Sequence, residues 1–208
     1  MSVYVETIVL DLFQTNCYVI HDGTDAVIID AGTQPEDIID VINSKNLNLK
    51  AILLTHGHHD HVRATTLIKK EKNVKIYIHK EDEEFLLDPP LIHGGGELET
   101  PEYIPAKADE YLEDNQELTF GSLKFKVIHI QGHSNGSCCF ICDNYLFTGD
   151  SMLKGRTGRI DLYKSDKELL HKSLKTKIYP LEKNYIIMPG HRENSTLFVE
   201  KETNPCFK

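Results

Sequence analysis

Four histidines and an aspartate fall within six positions, His56-Gly57-His58-His59-Asp60-His61, directly after the apolar run Ala51-Ile52-Leu53-Leu54. Imidazole nitrogens and carboxylate oxygens are the donors that zinc, iron and manganese prefer. His56 and His58 are two apart, so in an extended segment they point to the same side. Asp60 and His61 follow where the chain turns into a helix. One loop thus presents two donor pairs, more than a single tetrahedral ion requires, which predicts a two-metal site. A plainer account makes Asp60 a helix cap ahead of Val62, Leu67 and Ile68 and the histidines surface residues. Capping does not exclude ligation, and it leaves the four histidines unexplained.

The same pattern recurs at three later strand ends. Predicted strand 123–130 runs into Gly132-His133, strand 145–148 into Gly149-Asp150, and strand 185–188 into Pro189-Gly190-His191. Glycine lets the backbone turn sharply and approach an ion closely. One such residue alone reads as an ordinary loop side chain. The repetition makes His133, Asp150 and His191 candidate ligands beside His56, His58, Asp60 and His61.

Elements of regular length must deliver these groups. Runs 3–10, 17–21 and 26–30 read as an antiparallel meander, with Asp22-Gly23 at one turn and Asp30-Ala31-Gly32 closing the third. Pro35 opens a helix, strand 51–54 leads into the histidine loop, and a helix follows over 61–72. Strand 75–79 precedes a short helix beginning at Glu81-Asp82-Glu83-Glu84, read as a solvated first turn. Residues 88–108, with Pro89-Pro90 and Gly94-Gly95-Gly96, form a long loop in which His93 is a candidate substrate contact. Strands follow at 110–113, 117–120, 123–130, 137–142 and 145–148, then a helix over 166–178, strand 185–188, and a closing helix capped by Ser195. Strand groups each followed by helices, twice over and without a linker, predict one domain over 1–208, an αββα sandwich.

The chain has 208 residues and a net charge of −9. That is long enough for a core without staples, and acidic enough to disfavour a nucleic-acid partner. Cys17, Cys138, Cys139, Cys142 and Cys206 are an odd, irregular set. On a strand, Cys139 and Cys142 face opposite ways, and Cys138 and Cys142 stand ~13 Å apart, so neither pair bridges. They read as small core residues. No signal peptide and no membrane-spanning run is evident, and a cytoplasmic protein with free thiols is expected.

Thr55-His56-Gly57-His58-His59-Asp60-His61, with Gly132-His133, Gly149-Asp150 and Pro189-Gly190-His191, resembles the signature of the metallo-β-lactamase superfamily over nearly the whole chain. Gln14 through Ile20, Gly149 through Leu162, Ser195-Thr196 and Asn204-Pro205 look most like the short glyoxalase II-like hydrolases, the hydroxyacylglutathione hydrolases. The resemblance implies that His56, His58 and His133 hold one divalent ion, that Asp60, His61 and His191 hold the other, and that Asp150 bridges them. The ions are expected to be zinc, with iron or manganese as alternatives, and His59 is not a ligand. An aspartate stands at 150 where dinuclear zinc β-lactamases place a cysteine, which speaks against antibiotic hydrolysis. This sequence departs from its relatives at Ser134-Asn135-Gly136-Ser137, where Thr-Pro-Gly is usual, at Ser151, and at Arg192-Glu193-Asn194, where Gly-Pro usually follows the histidine. It also stops before the helical domain that supplies glutathione contacts in full-length glyoxalase II.

The implied chemistry is hydrolysis of a small acyl thioester, S-lactoylglutathione or a related thiol ester, by a metal-bound hydroxide that Asp60 orients. Lys154, Arg156 and Arg159 follow Asp150 and are candidates for attracting an anionic substrate. For Arg159 the alternative is a structural bond at the Gly158 turn. An iron-dependent persulfide dioxygenase would need only His56, His133 and Asp150. A lactonase of the same fold and a non-enzymatic metal-binding protein complete the alternatives.

Overall fold

The computed structural model describes residues 2–10, 13–87 and 103–208. His93 and most of the predicted 88–108 loop lie outside the described residues. Strands β1 (Tyr4–Leu10), β2 (Thr15–His21), β3 (Asp25–Ile29), β4 (Asn48–Leu53), β5 (Lys75–His79) and β6 (Glu110–Leu112) form one six-stranded sheet in sequence order. Strands β7 (Glu117–Phe120), β8 (Leu123–His129), β9 (Cys138–Cys142), β10 (Tyr145–Gly149), β11 (Ile186–Pro189) and β12 (Ser195–Thr196) form a second, in the order β12-β11-β10-β9-β8-β7. Each sheet opens as an antiparallel meander and turns parallel where a helix intervenes, at β3–β4 and at β10–β11. Helix Pro35–Ser44 makes the first of these crossings and helix Lys167–Ser173 the second.

The central strands are apolar on both faces, as strands covered on both sides must be. Val27, Ile29, Ala51 and Leu53 meet Phe125, Val127, Phe140 and Phe147 between the sheets. Their neighbours Ala26, Ile28, Ile52 and Leu54 turn outward to Ile38, Ile42 and Ile68 of the covering helices. On the far side, Ile128, Cys139, Leu146 and Ile187 pack on Leu170, Leu174 and Leu197. Three apolar layers thus separate four layers of structure, the expected αββα sandwich. The five cysteines are free and buried, with Cys138 and Cys142 facing between the sheets and Cys139 facing out. No described helix is long and apolar enough to cross a membrane.

Four local expectations are corrected. The helix predicted over 61–72 is two helices, His59–Val62 and Thr65–Lys72. They separate because the Ala64 N–H bonds to Ala31 O at 3.0 Å instead of continuing the helical ladder. Asp60 lies inside the first of them, and His58 is the cap residue. The 166–178 segment is helical only to Ser173 and closes in a π turn, Leu174–Ile178, with the Tyr179 N–H reaching Leu174 O at 2.9 Å. Ser195 is no cap: it belongs to β12, and its hydroxyl donates to buried Glu200 at 2.6 Å beneath helix Leu197–Thr203. In the acidic run before helix Glu83–Leu87, Asp82 is fully buried rather than solvated.

Candidate metal centre

Past the end of β4, the backbone of Thr55 is pinned from both sheets. Its N–H and hydroxyl both donate to Asp30 at 2.7 Å, and its carbonyl accepts the Cys138 N–H at 2.7 Å. The histidine loop leaves from this anchor. His56 Nε2 lies 3.2 Å from His133 Nε2, and His58 Nδ1 lies 2.9 Å from that same atom. These three form one converging group. Beside it, His191 Nε2 is 3.1 Å and His61 Nε2 3.4 Å from Asp60 Oδ2, a second converging group. Asp150 stands between them. Its Oδ1 is 3.7 Å from His61, and its Oδ2 is 3.7 Å from His133 and 3.5 Å from His191. Gly190 permits this crowding, because a Cβ there would collide with Asp150 Oδ1 and lie 2.8 Å from His61 Cε1.

The outer nitrogens of the rings are tied to the fold. His133 Nδ1 bonds to Arg159 O at 2.8 Å, His61 Nδ1 to Asp30 at 2.9 Å, and His191 Nδ1 to Phe13 O at 3.1 Å. For neutral His133 a proton committed there leaves the inner nitrogen as a lone pair, and His61 presents one once a bound cation replaces its second proton. Burial holds His56 and His58 well below the ordinary histidine range and lowers His133 as well, so the first group is neutral. In the second group, burial opposes a charge on His61, yet Asp60 and Asp30 push its pKa up to about 10. Burial works against the Asp60 carboxylate too, but His61 and the bond to His191 outweigh it and hold that carboxyl below the usual range.

The residues fit a pair of divalent cations. Three inner imidazole nitrogens facing one another at these distances need a shared positive charge, and Asp150 Oδ1 and His61 Nε2 are buried with no hydrogen-bond partner. A cation in each group answers both needs. Asp30, Asp60 and Asp150 around His61 call for positive charge at that point whether a proton or an ion supplies it. The group of Asp30 with His56 and His61 also converges, but Asp30 already accepts from Thr55 twice and faces His61 Nδ1, which makes it a support for the ligands.

Sequence reasoning missed several supports. Asp30, with φ +60°, follows the end of β3 just before Ala31-Gly32, a carboxylate and a glycine at a strand end though in the reverse order from the candidate ligands. The Thr15 hydroxyl donates to Asp60 Oδ2 at 2.7 Å, and Asn16 Nδ2 donates to Pro189 O and Arg192 O at 2.9 Å each. Asp82 accepts from Gly57 N at 2.9 Å, Gly136 N at 2.7 Å and the Ser134 hydroxyl at 2.6 Å. It thereby ties the histidine loop to the 133–137 loop, including the stretch that departs from its relatives. Burial pushes Asp82 up to about 6, against the pull of those hydrogen bonds.

A cavity of about 640 Å³ opens over His58, Asp60, His133, Asp150 and His191, walled by Phe13, Leu153, Arg156, Arg159, Leu162 and Arg192. Of the predicted substrate contacts, Arg156 and Arg159 line it and Lys154 does not. Arg159 is held in a two-bond pair with Asp161, 2.9 Å each. His59 also lines the cavity, edge-on to Phe13, and belongs to neither ligand group.

Comparisons with known proteins agree with this geometry. Residues 10–191 match the family described as Metallo-beta-lactamase superfamily. Hydroxyacylglutathione hydrolase GloC of Haemophilus influenzae is 35% identical over 206 residues, which cover 97% of this chain and 96% of the relative. Among solved structures, the BLEG-1 B3 metallo-beta-lactamase is 34% identical with a TM-score of 0.92, covering 99% of this chain and 100% of that one. TTHA1623 in a di-iron-bound form is 31% identical with a TM-score of 0.80, covering 97% and 99%.

Proposed function

Because the chain belongs to the metallo-β-lactamase superfamily, we propose that it is a dinuclear metal-dependent hydrolase acting on a small acyl thioester, S-lactoylglutathione or a related thiol ester. The observation that carries this reading is the second group: Asp60, His61 and His191 converge beside His56, His58 and His133, with Asp150 reaching both. The 35% identity to a hydroxyacylglutathione hydrolase supports the thioester as substrate class. When bound, two divalent ions would bring a water to hydroxide near neutral pH and polarise the acyl carbonyl. Zinc is our choice, and the di-iron relative keeps iron in the comparison.

The protein's own part is orientation. Asp60 is fixed by the Thr15 hydroxyl and His191, so its carboxylate stays ionised and aimed into the cavity as acceptor for the nucleophile's proton. Phe13, Leu153 and Leu162 give the substrate an apolar wall that excludes water. Arg156 and Arg159 supply positive charge farther out. A thiolate leaves without a strong general acid, and among the described residues the cavity presents no histidine outside the two ligand groups except His59.

The test loads the purified chain with zinc, iron or manganese, quantifies the metal, and assays a thioester panel by thiol release. Hydrolysis with two ions bound per chain is expected. Two bound ions with no thioester turned over would sink the thioesterase reading. A second reading, β-lactam hydrolysis, is favoured by the 34% identity to a B3 metallo-beta-lactamase, and a chromogenic cephalosporin in the same panel decides it. One iron per chain with oxygen consumption would instead favour a persulfide dioxygenase using His56, His133 and Asp150.

A further inference from the structure

Among the described residues, two arginines on the cavity wall have no acidic partner. In a chain of net charge −9, Arg159 is matched by Asp161 at 2.9 Å and Lys154 by Glu193 at 3.6 Å. Among the described residues, Arg156 and Arg192 have no such pair. The Nε of Arg156 donates only to Thr157 O, at 3.3 Å. Both residues line the same cavity as Asp60, Asp150 and His191.

Each arginine also stands on a backbone that the fold has fixed. Arg192 has φ +72°, a conformation open to glycine and costly for other residues. This chain therefore accepts strain at this position and gains a guanidinium. Asn16, buried, holds the strained peptide through Arg192 O at 2.9 Å. Arg156 closes a tight turn with Leu153 through bonds of 2.8 and 3.2 Å. Asn204, also buried, clamps that turn by donating to Arg156 O at 3.1 Å and Leu153 O at 3.2 Å. The two arginines are therefore carried on fixed backbones in two loops of one cavity, loops that the Lys154–Glu193 pair joins, and a guanidinium fork matches a carboxylate in two-point geometry.

Resting on the hydrolase reading above, we propose that Arg156 and Arg192 form an anion clamp that selects thioesters bearing a carboxylate on the thiol half. A small acyl group facing Asp60 and Asp150 leaves the longer thiol portion against this wall. Phe13, Leu153 and Leu162 pack its carbon chain while the arginines take its carboxylate.

The experiment compares acetyl thioesters of 3-mercaptopropionate, which is anionic, and 2-mercaptoethanol, which is neutral, on the zinc-loaded full chain. The wild type is expected to prefer the anionic ester by about tenfold in kcat/KM. R192G and R156A should each reduce that ratio by roughly three- to tenfold, mainly through KM, while R192K, which keeps the charge but not the fork, retains only part of it, and added salt lowers it. R192G should also melt at a higher temperature than the wild type, because glycine relieves the strain at φ +72°. Equal use of the two esters by the wild type, or an unchanged ratio in both variants, overturns the clamp and leaves the hydrolase reading standing. If neither these esters nor any other thioester of the panel is cleaved with two ions bound, the thioesterase reading fails. Calorimetric binding of 3-(methylthio)propionate and 3-(methylthio)propanol then decides the clamp: tighter binding of the acid that is lost in R192G sustains it, and equal binding ends it.

Discussion

Asp82 shows how much one buried carboxylate can organise. It touches neither candidate metal group, yet it accepts from the loop between His56 and His58 and from the loop after His133. Burial pushes its pKa up to about 6, above the ordinary aspartate range, so the native state holds its proton more tightly than the unfolded chain does. The stability this contributes is complete below about pH 4 and is lost as pH rises through 6. Urea unfolding of wild type and Asp82→Asn between pH 4 and 7 should show the wild type losing on the order of 3 kcal/mol relative to the variant. A difference that does not change with pH would refute this. His61 makes a second case. Held protonated by Asp60 and Asp30 with a pKa of about 10, it must give up that proton to bind a cation. Metal uptake at pH 7 should therefore release a proton, seen as a buffer-dependent heat in calorimetry. The candidate ligands were readable from residue identity and spacing. Asp82 was not, because an Asp among Glu81, Glu83 and Glu84 looks like a wet helix start until the 133–137 loop folds over it.

At the level of elements, the site is a set of strand ends. β4, β10 and β11 each stop at the same edge of the sandwich and hand over one or more polar groups, and glycines let the hand-over points touch. Gly190→Ala would drive a methyl group into Asp150 and His61. The expected outcome is metal content falling from two ions toward one, measured by elemental analysis on a protein that still folds. The last helix has a different task. Glu200 takes the Ser195 hydroxyl at 2.6 Å and the Gly155 N–H at 2.9 Å, and Asn204 donates to Glu200 at 2.8 Å as well as to the Leu153–Arg156 turn. Asn204→Ala leaves a buried carboxylate and two carbonyls short of a donor and should cost about 2–3 kcal/mol by chemical denaturation. This explains why Ser195-Thr196 and Asn204-Pro205 stood out in the sequence: they brace the cavity wall from behind. The strand periods were legible because both faces of the central strands are apolar in alternating sets. The helix break at Ala64 was not, since it depends on a backbone bond to Ala31, far away in sequence.

For the whole molecule, we propose that the two halves act as one folding unit, since the layer between the sheets draws on both. Thermal unfolding of the metal-free chain should then follow a single transition. Saturating zinc should raise its midpoint by several degrees, and a chelator should reverse the rise, because the candidate ligands bridge β4 of one sheet with β10 and β11 of the other. Two separate transitions would show that the halves are autonomous. The burial of all five thiols carries a practical corollary. Cys17 sits in the layer outside the first sheet, Cys138 and Cys142 between the sheets, and Cys139 and Cys206 outside the second. Every layer thus contains its own native reporter. Pulsed alkylation followed by peptide mass mapping would record, without any introduced label, the order in which the layers of this sandwich open.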